Sequence, residues 1–236
     1  MSPNLQDANV GNRGDIVKHA ALVALATLLR ARNAGPVRHV ETHTFRLTAP
    51  LPDPALWRTR VAELGLSDHA YAAIEAPWAA QGRYRCSAGL VADTLGAPLS
   101  LLLAEAHAPT RALLQAALAE EGLPVDALVD DALALAALPQ GAPAPLLVHV
   151  DPFDHPVAYW PVVAALLERW RLPAHDAVVL AFAYDKRGPV AWPPPPPGLS
   201  ALGRLDRAPY GLAAWASPGI EADARSALAA LGWTSA

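Results

Sequence analysis

Apolar residues recur at helical spacing early in the chain. Ile16, Val17, Ala20, Leu22, Val23, Leu25, Leu28 and Leu29 predict a helix over residues 15–32, which Gly35-Pro36 stops. Short apolar runs then alternate with helical patterns. The runs at 37–44, 98–104, 125–129, 145–150, 177–184 and 211–216 predict strands. The stretches 55–64, 69–79, 89–96, 109–121, 132–137, 157–170 and 220–231 predict helices. Strands that alternate with helices imply an α/β fold, a mostly parallel sheet covered on both faces. The opening helix precedes the first strand as an N-terminal extension, and residues 50–85 form a small helical insertion.

The 236 residues suit one domain, 1–236, with a full core. A net charge of -4 argues against a grip on a long phosphate backbone, which needs a basic face. The lone Cys86 excludes an intrachain disulfide and fits a reducing cytoplasm. As a nucleophile it has no partner motif, and apolar filler is the simpler role. The opening Met1-Ser2-Pro3-Asn4-Leu5-Gln6-Asp7 lacks the basic start and apolar stretch of a secretory signal. No apolar run reaches the roughly 18 residues of a membrane span. The five prolines at 193–197 form either a stiff surface segment or a ligand for an aromatic groove.

In an open parallel sheet, ligands bind beyond the carboxyl ends of the strands. Those ends carry Glu41-Thr42-His43, Glu105-Ala106-His107, Asp130-Asp131, Asp151-Pro152-Phe153-Asp154-His155 and Tyr184-Asp185-Lys186. Any one acid there can be a helix cap. Acids at four successive ends suggest a nucleoside ligand: one after the second strand accepts ribose hydroxyls, and one after the third accepts the adenine amino group. The first turn, Glu41-Thr42-His43-Thr44-Phe45-Arg46, holds no glycine to cradle phosphate. S-adenosylmethionine, which has no phosphate, fits better. Convergence of His43, His107, His155 and Asp151 on zinc or iron is the rival chemistry, but no tight ligand motif supports it, and no metal is expected.

The segment Val10-Gly11-Asn12-Arg13-Gly14-Asp15-Ile16-Val17-Lys18-His19 resembles the opening of the RlmJ-type ribosomal RNA adenine-N6 methyltransferases, with the Gly-Asn-x-x-Asp-x-x-Lys-His core intact. Glu41-Thr42-His43, Glu105-Ala106-His107-Ala108, Asp131 and Asp151-Pro152-Phe153-Asp154 follow in the family's order. The resemblance implies a class I methyltransferase (Rossmann-like) fold with S-adenosylmethionine as cofactor. It implies that Lys18 and His19 contact the methionine part, and that Glu41, Thr42 and His43 line the cofactor turn. Glu105 would hold the ribose, Asp131 (or Asp130) the adenine, and Asp151 with Pro152 and Phe153 would face the reacting centre.

The chain departs from the family in losing the glycine turn and the second proline and aromatic of the catalytic motif. A flipped base therefore lacks its stacking platform. These departures favour a small-molecule amine as acceptor. The degenerate motifs look similar to azetidine-2-carboxylate synthases, in which the amine of S-adenosylmethionine attacks its own γ-carbon and methylthioadenosine is released. Small-molecule N-methylation, a divergent ribosomal RNA methylation and binding of the cofactor without turnover are the alternatives. Asp151 is then expected to orient or deprotonate the amine. Tyr184 or Phe182 would steady the sulfonium by cation–π attraction, and Ser217 would meet the substrate amine.

Overall fold

The computed structural model describes residues 10–138, 144–152, 160–169, 176–184, 192–207 and 210–234. The chain opens with α1 (Arg13–Arg32) and β1 (Val37–Glu41), and then runs through β2 (Thr48–Pro50), α2 (Pro54–Glu63), α3 (Ala70–Ala80) and β3 (Arg83–Arg85). It continues with α4 (Ser87–Leu95), β4 (Leu99–Ala104), α5 (Ala108–Glu120), β5 (Val125–Val129), α6 (Ala132–Ala137) and β6 (Leu146–Val150). The rest is α7 (Trp160–Arg169), β7 (Ala177–Tyr184), β8 (Ser200–Arg207), β9 (Tyr210–Ala216) and α8 (Glu221–Ala229).

Seven strands form one sheet in the order β5-β4-β1-β6-β7-β9-β8. The first five are parallel, β9 runs antiparallel to β7, and β8 runs antiparallel to β9. This is the class I methyltransferase arrangement, in which the strand order reverses between β1 and β6. The reversal opens a crevice at the carboxyl ends of these strands.

One face of the sheet packs under α1, α4, α5 and α8, with Leu22, Leu25, Val91, Leu114 and Leu228 in its core. The other packs under α6 and α7, through Leu135, Val162, Val163 and Leu166. Trp160 and Trp192 close that second face over Trp215, with ring centroids 4.6 and 6.3 Å away. In the proline run, Pro196 is buried while Pro194, Pro195 and Pro197 are exposed. The outward side of α1 is covered as well: Ile16, Ala20 and Val23 pack on Trp57, Val61, Tyr71 and Tyr84 of the segment between β1 and α4. A helix apolar on most sides has to be buried on most sides.

The opening motif has a steric reason for its glycines. Gly11 sits at φ +73°, and a Cβ there would stand 2.9 Å from Leu51. A Cβ on Gly14 would meet the Phe182 ring at 3.2 Å. Asn12 between them caps α1, its side chain accepting the Asp15 N–H at 3.0 Å.

The structure adds β8 and the short antiparallel pair β2–β3, none of which the apolar pattern predicts. The first strand ends at Glu41 rather than Thr44, because Thr44 turns away to donate its N–H to the Ala104 carbonyl at 2.7 Å. Of the helix predicted over 157–170, residues 160–169 are described. Among the described residues, no helix is long and apolar enough to cross a membrane.

Candidate functional site

Asp151 leaves the end of β6 at the crevice, with its side chain 21% exposed. Lys18, from the first turns of α1, reaches it: Nζ lies 2.6 Å from Asp151 Oδ2 and 3.2 Å from Asp15 Oδ1. The Lys18 side chain is only 8% exposed. Burial alone would lower its pKa, but the Asp151 and Asp15 carboxylates outweigh burial and hold the ammonium above its ordinary range. Burial pushes the Asp15 carboxyl up, against the pull of Lys18. The Lys18 Nζ also stands 5.1 Å from the centre of the Phe182 ring, which stacks on Tyr210 at 6.2 Å. A carboxylate, a fixed cation and an aromatic wall therefore meet at one point.

Beneath the crevice lies a polar cluster inside the sheet. Glu41 ends β1 and is fully buried. His149 Nδ1 donates to its Oε1 at 3.1 Å, His39 Nε2 donates to its Oε2 at 3.3 Å, and the Ser87 hydroxyl closes on Oε1. Burial would raise the Glu41 pKa, but the hydrogen bonds from His149 and His39 hold the carboxyl well below the usual range. The β1–β6 register sets Glu41 beside His149, and β-alternation sets His39 on the same face. Sequence reasoning found Glu41 but missed His39, His149 and Ser87. The His39/Glu41 spacing was a usable signal, whereas His149 required the strand pairing.

The remaining rim residues fall around this centre. Thr42 donates its N–H to the His149 carbonyl at 3.1 Å, and its hydroxyl contacts His43 Nδ1 at 2.7 Å. Burial pushes the His43 pKa down to about 4. The Thr44 hydroxyl is buried and has no partner among the described residues. At the end of β4, half-buried Glu105 accepts the His107 N–H at 2.7 Å, and burial raises its pKa. At the end of β5, exposed Asp131 caps α6 by accepting the Leu133 N–H at 2.8 Å. His19 is buried and contacts the Tyr84 hydroxyl through Nδ1 at 3.0 Å. Pro152 is buried beside Asp151.

Phe153, Asp154, His155, Asp185 and Lys186 lie outside the described residues. The Tyr184 backbone pairs with Tyr210 at the rim, and its side chain also lies outside the described set. Among the described residues, no group of three or more His, Cys, Asp or Glu side chains is placed to hold a metal ion. Cys86 is buried, and burial raises its thiol pKa, which disfavours the thiolate.

Ser217 requires a correction. It exchanges hydrogen bonds with Ala177, donating its N–H to the carbonyl at 2.9 Å and accepting the N–H at 3.1 Å on Oγ. Because β9 is antiparallel to β7, the residue after β9 lies at the amino edge of the sheet. That is about 15 Å from Asp151, the length of β6. Ser217 anchors the start of β7 and does not meet the substrate amine. Tyr210, at the other end of β9, is the residue that this strand brings to the crevice rim, beside Tyr184.

The residues present fit S-adenosylmethionine. Acceptors stand after β4 and β5, and in the turn after β1 the buried Thr44 hydroxyl has no partner among the described residues.

No family model matches the chain, and no curated protein matches it. Among solved structures, a Legionella pneumophila protein is similar at 17% identity, covering 92% of this chain and 90% of its own, with a TM-score of 0.62. An S-adenosylmethionine-dependent methyltransferase from Aquifex aeolicus gives 10% identity over 80% of this chain and 86% of its own, with a TM-score of 0.39. The TrmN protein of Thermus thermophilus gives 15% identity over 82% of this chain and 47% of its own, with a TM-score of 0.40. The first likeness shows the fold.

Proposed function

We propose that the protein is an S-adenosylmethionine-dependent transferase that alkylates the amine of a small molecule, with Asp151 holding the nucleophilic nitrogen. The observation that carries this reading is the geometry of Asp151, a partly exposed carboxylate fixed at the strand-order reversal by a buried ammonium. S-adenosylmethionine, when bound, supplies an electrophilic carbon on a positively charged sulfur. The chain's own residues do the rest. The buried Lys18 ammonium pairs with Asp151 and fixes its place, and Asp151 acts by accepting a hydrogen bond from the amine. That bond aims the nitrogen lone pair and limits its freedom before attack. Phe182 and Tyr210 form the aromatic wall nearest the cation. Glu105 and Asp131 stand where the ribose and adenine would be read, and Thr44 where the amino-acid end would be read.

The finer form of the proposal makes one molecule both electrophile and nucleophile. The α-amine nitrogen forms a bond to the γ-carbon, and the carbon–sulfur bond breaks. The electron pair leaves on sulfur as methylthioadenosine, and the nitrogen loses its proton to solvent, giving azetidine-2-carboxylate. Asp154 in place of the motif's aromatic residue and the net charge of -4 favour a small acceptor over RNA.

The test is to incubate purified protein with S-adenosylmethionine alone and identify the nucleoside by mass spectrometry. Methylthioadenosine without an acceptor supports cyclisation, and S-adenosylhomocysteine formed only with an added amine supports methyl transfer. A protein that neither binds nor consumes S-adenosylmethionine overturns the proposal.

A further inference from the structure

A line of buried aromatic groups runs from the segment between β1 and α4 into the site. Trp57 of α2 donates its indole Nε1–H to the Tyr71 hydroxyl of α3 at 3.0 Å. The Tyr71 hydroxyl lies 3.2 Å from the Tyr84 hydroxyl of β3. The Tyr84 hydroxyl lies 3.0 Å from His19 Nδ1 of α1, and the two rings stack with centroids 5.3 Å apart. All four residues are buried.

The chemistry of the first group fixes the direction of the whole chain. An indole N–H can only donate. The Tyr71 oxygen must therefore accept from Trp57, and Trp57 offers no acceptor in return. The Tyr71 hydrogen is left with the Tyr84 oxygen as its acceptor. The Tyr84 hydrogen is left in turn with His19 Nδ1. Any reversed arrangement strands a buried hydroxyl hydrogen.

We propose that this one-way chain wires His19 into a single tautomer, with Nδ1 accepting and Nε2 carrying the hydrogen, so that His19 presents a fixed N–H donor to the carboxylate of a bound amino-acid group. The ring edge bearing Nε2 is turned away from Tyr84. The neighbours that act on His19 electrostatically are Lys18, His149 and Glu41, the polar groups of the site. Both Glu41 oxygens are already engaged by Ser87, His149 and His39. Burial keeps His19 neutral, which preserves the donor–acceptor asymmetry of the ring across the physiological range. The segment between β1 and α4 thus acts on the site through His19 without touching a ligand itself: Trp57, Tyr71 and Tyr84 are positioning residues. The tautomer follows from the chain alone, while the carboxylate as its target rests on the S-adenosylmethionine reading.

Long-range proton–nitrogen NMR on histidine-labelled protein tests the wiring, with the His19 signals assigned by their loss in His19→Gln. The expected result is protonation at Nε2 alone, while protonation at Nδ1 overturns the proposal. Trp57→Phe keeps an aromatic side chain and removes the obligatory donor. It should move the His19 nitrogen signals and weaken S-adenosylmethionine binding about three- to tenfold by calorimetry. Unchanged signals and affinity in this variant also overturn the proposal. His19→Gln, whose amide nitrogen overlays Nε2, should keep affinity within about threefold, whereas His19→Ala should lose about tenfold. Melting curves verify that each variant folds. If the parent protein shows the expected tautomer but does not bind S-adenosylmethionine, the functional reading and the carboxylate target fail and the wiring stands.

Discussion

Two buried cations hold this molecule together in opposite ways. Arg85 is 1% exposed, and its guanidinium is clamped by two carboxylates: Asp93 accepts from Nε and Nη2 at 2.9 Å, and Glu121 accepts from Nη1 and Nη2 at 2.8 and 2.6 Å. The Trp78 ring covers its face at 4.5 Å. Its backbone N–H is held by Glu75 at 2.8 Å. The arrangement ties β3 to α3, α4 and the end of α5. Lys18 is nearly as buried, but its main partner is the partly exposed Asp151 at the mouth of the crevice. A closed, forked cation network is structural chemistry, whereas an ammonium paired with a partly exposed carboxylate at the crevice is suited to site chemistry.

The comparison can be broken by substitution. Asp151→Asn should cut turnover by about 10²–10⁴-fold in a single-turnover assay while the melting temperature changes little. Arg85→Met should cost about 3 kcal/mol in a urea melt, because it leaves two carboxylates without their cation. The S-adenosylmethionine affinity of the folded fraction should be unchanged. Lys18→Met should cut turnover about tenfold in the single-turnover assay, because Asp151 loses the ammonium that fixes its place.

Acid should reveal the partly buried His43 imidazole next. His43 titrates near pH 4 in the fold against about 6.5 unfolded, so the unfolded chain binds more protons below pH 6.5. Its contribution to stability is complete above pH 6.5 and is lost as pH falls toward 4. Urea melts at pH 7.5, 5.5 and 4.5 measure the loss, and a His43→Gln variant should show a shallower one. The smallest effect is expected at the opposite edge of the sheet: Ser217→Ala should cost about 1 kcal/mol of stability for its lost hydrogen bond and leave turnover unchanged.

Much of this arrangement was legible in the order of residues, and the exceptions have physical causes. The parallel strands are short, mostly apolar runs, so their carboxyl ends, and with them Glu41, Glu105, Asp131 and Asp151, could be found directly. Strand β8 was not, because its alternation is broken by a register shift between Ala201 and Gly203. Ser217 was misplaced because a run of apolar residues does not state its direction, and the antiparallel β9 reverses which end meets the crevice. His149 reads as one more residue inside a strand until pairing sets it against Glu41. The Trp57–Tyr71–Tyr84 line combines three elements with no shared periodicity, so only the packed structure brings it together.

The burial of α1 has a consequence for how the protein is made. A ribosome delivers this helix before most of the elements that cover it. Its partners β6, β7 and α8 come much later, and Arg32 at its end finds Asp176, Asp223 and the Gly219 carbonyl only when that later part has emerged. Until then, the apolar sides of α1 are open to whatever the cell offers, including holding chaperones. Lys18 belongs to that helix and Asp151 to the later part, so the carboxylate and its cation first meet when β6 has emerged and packs under α1.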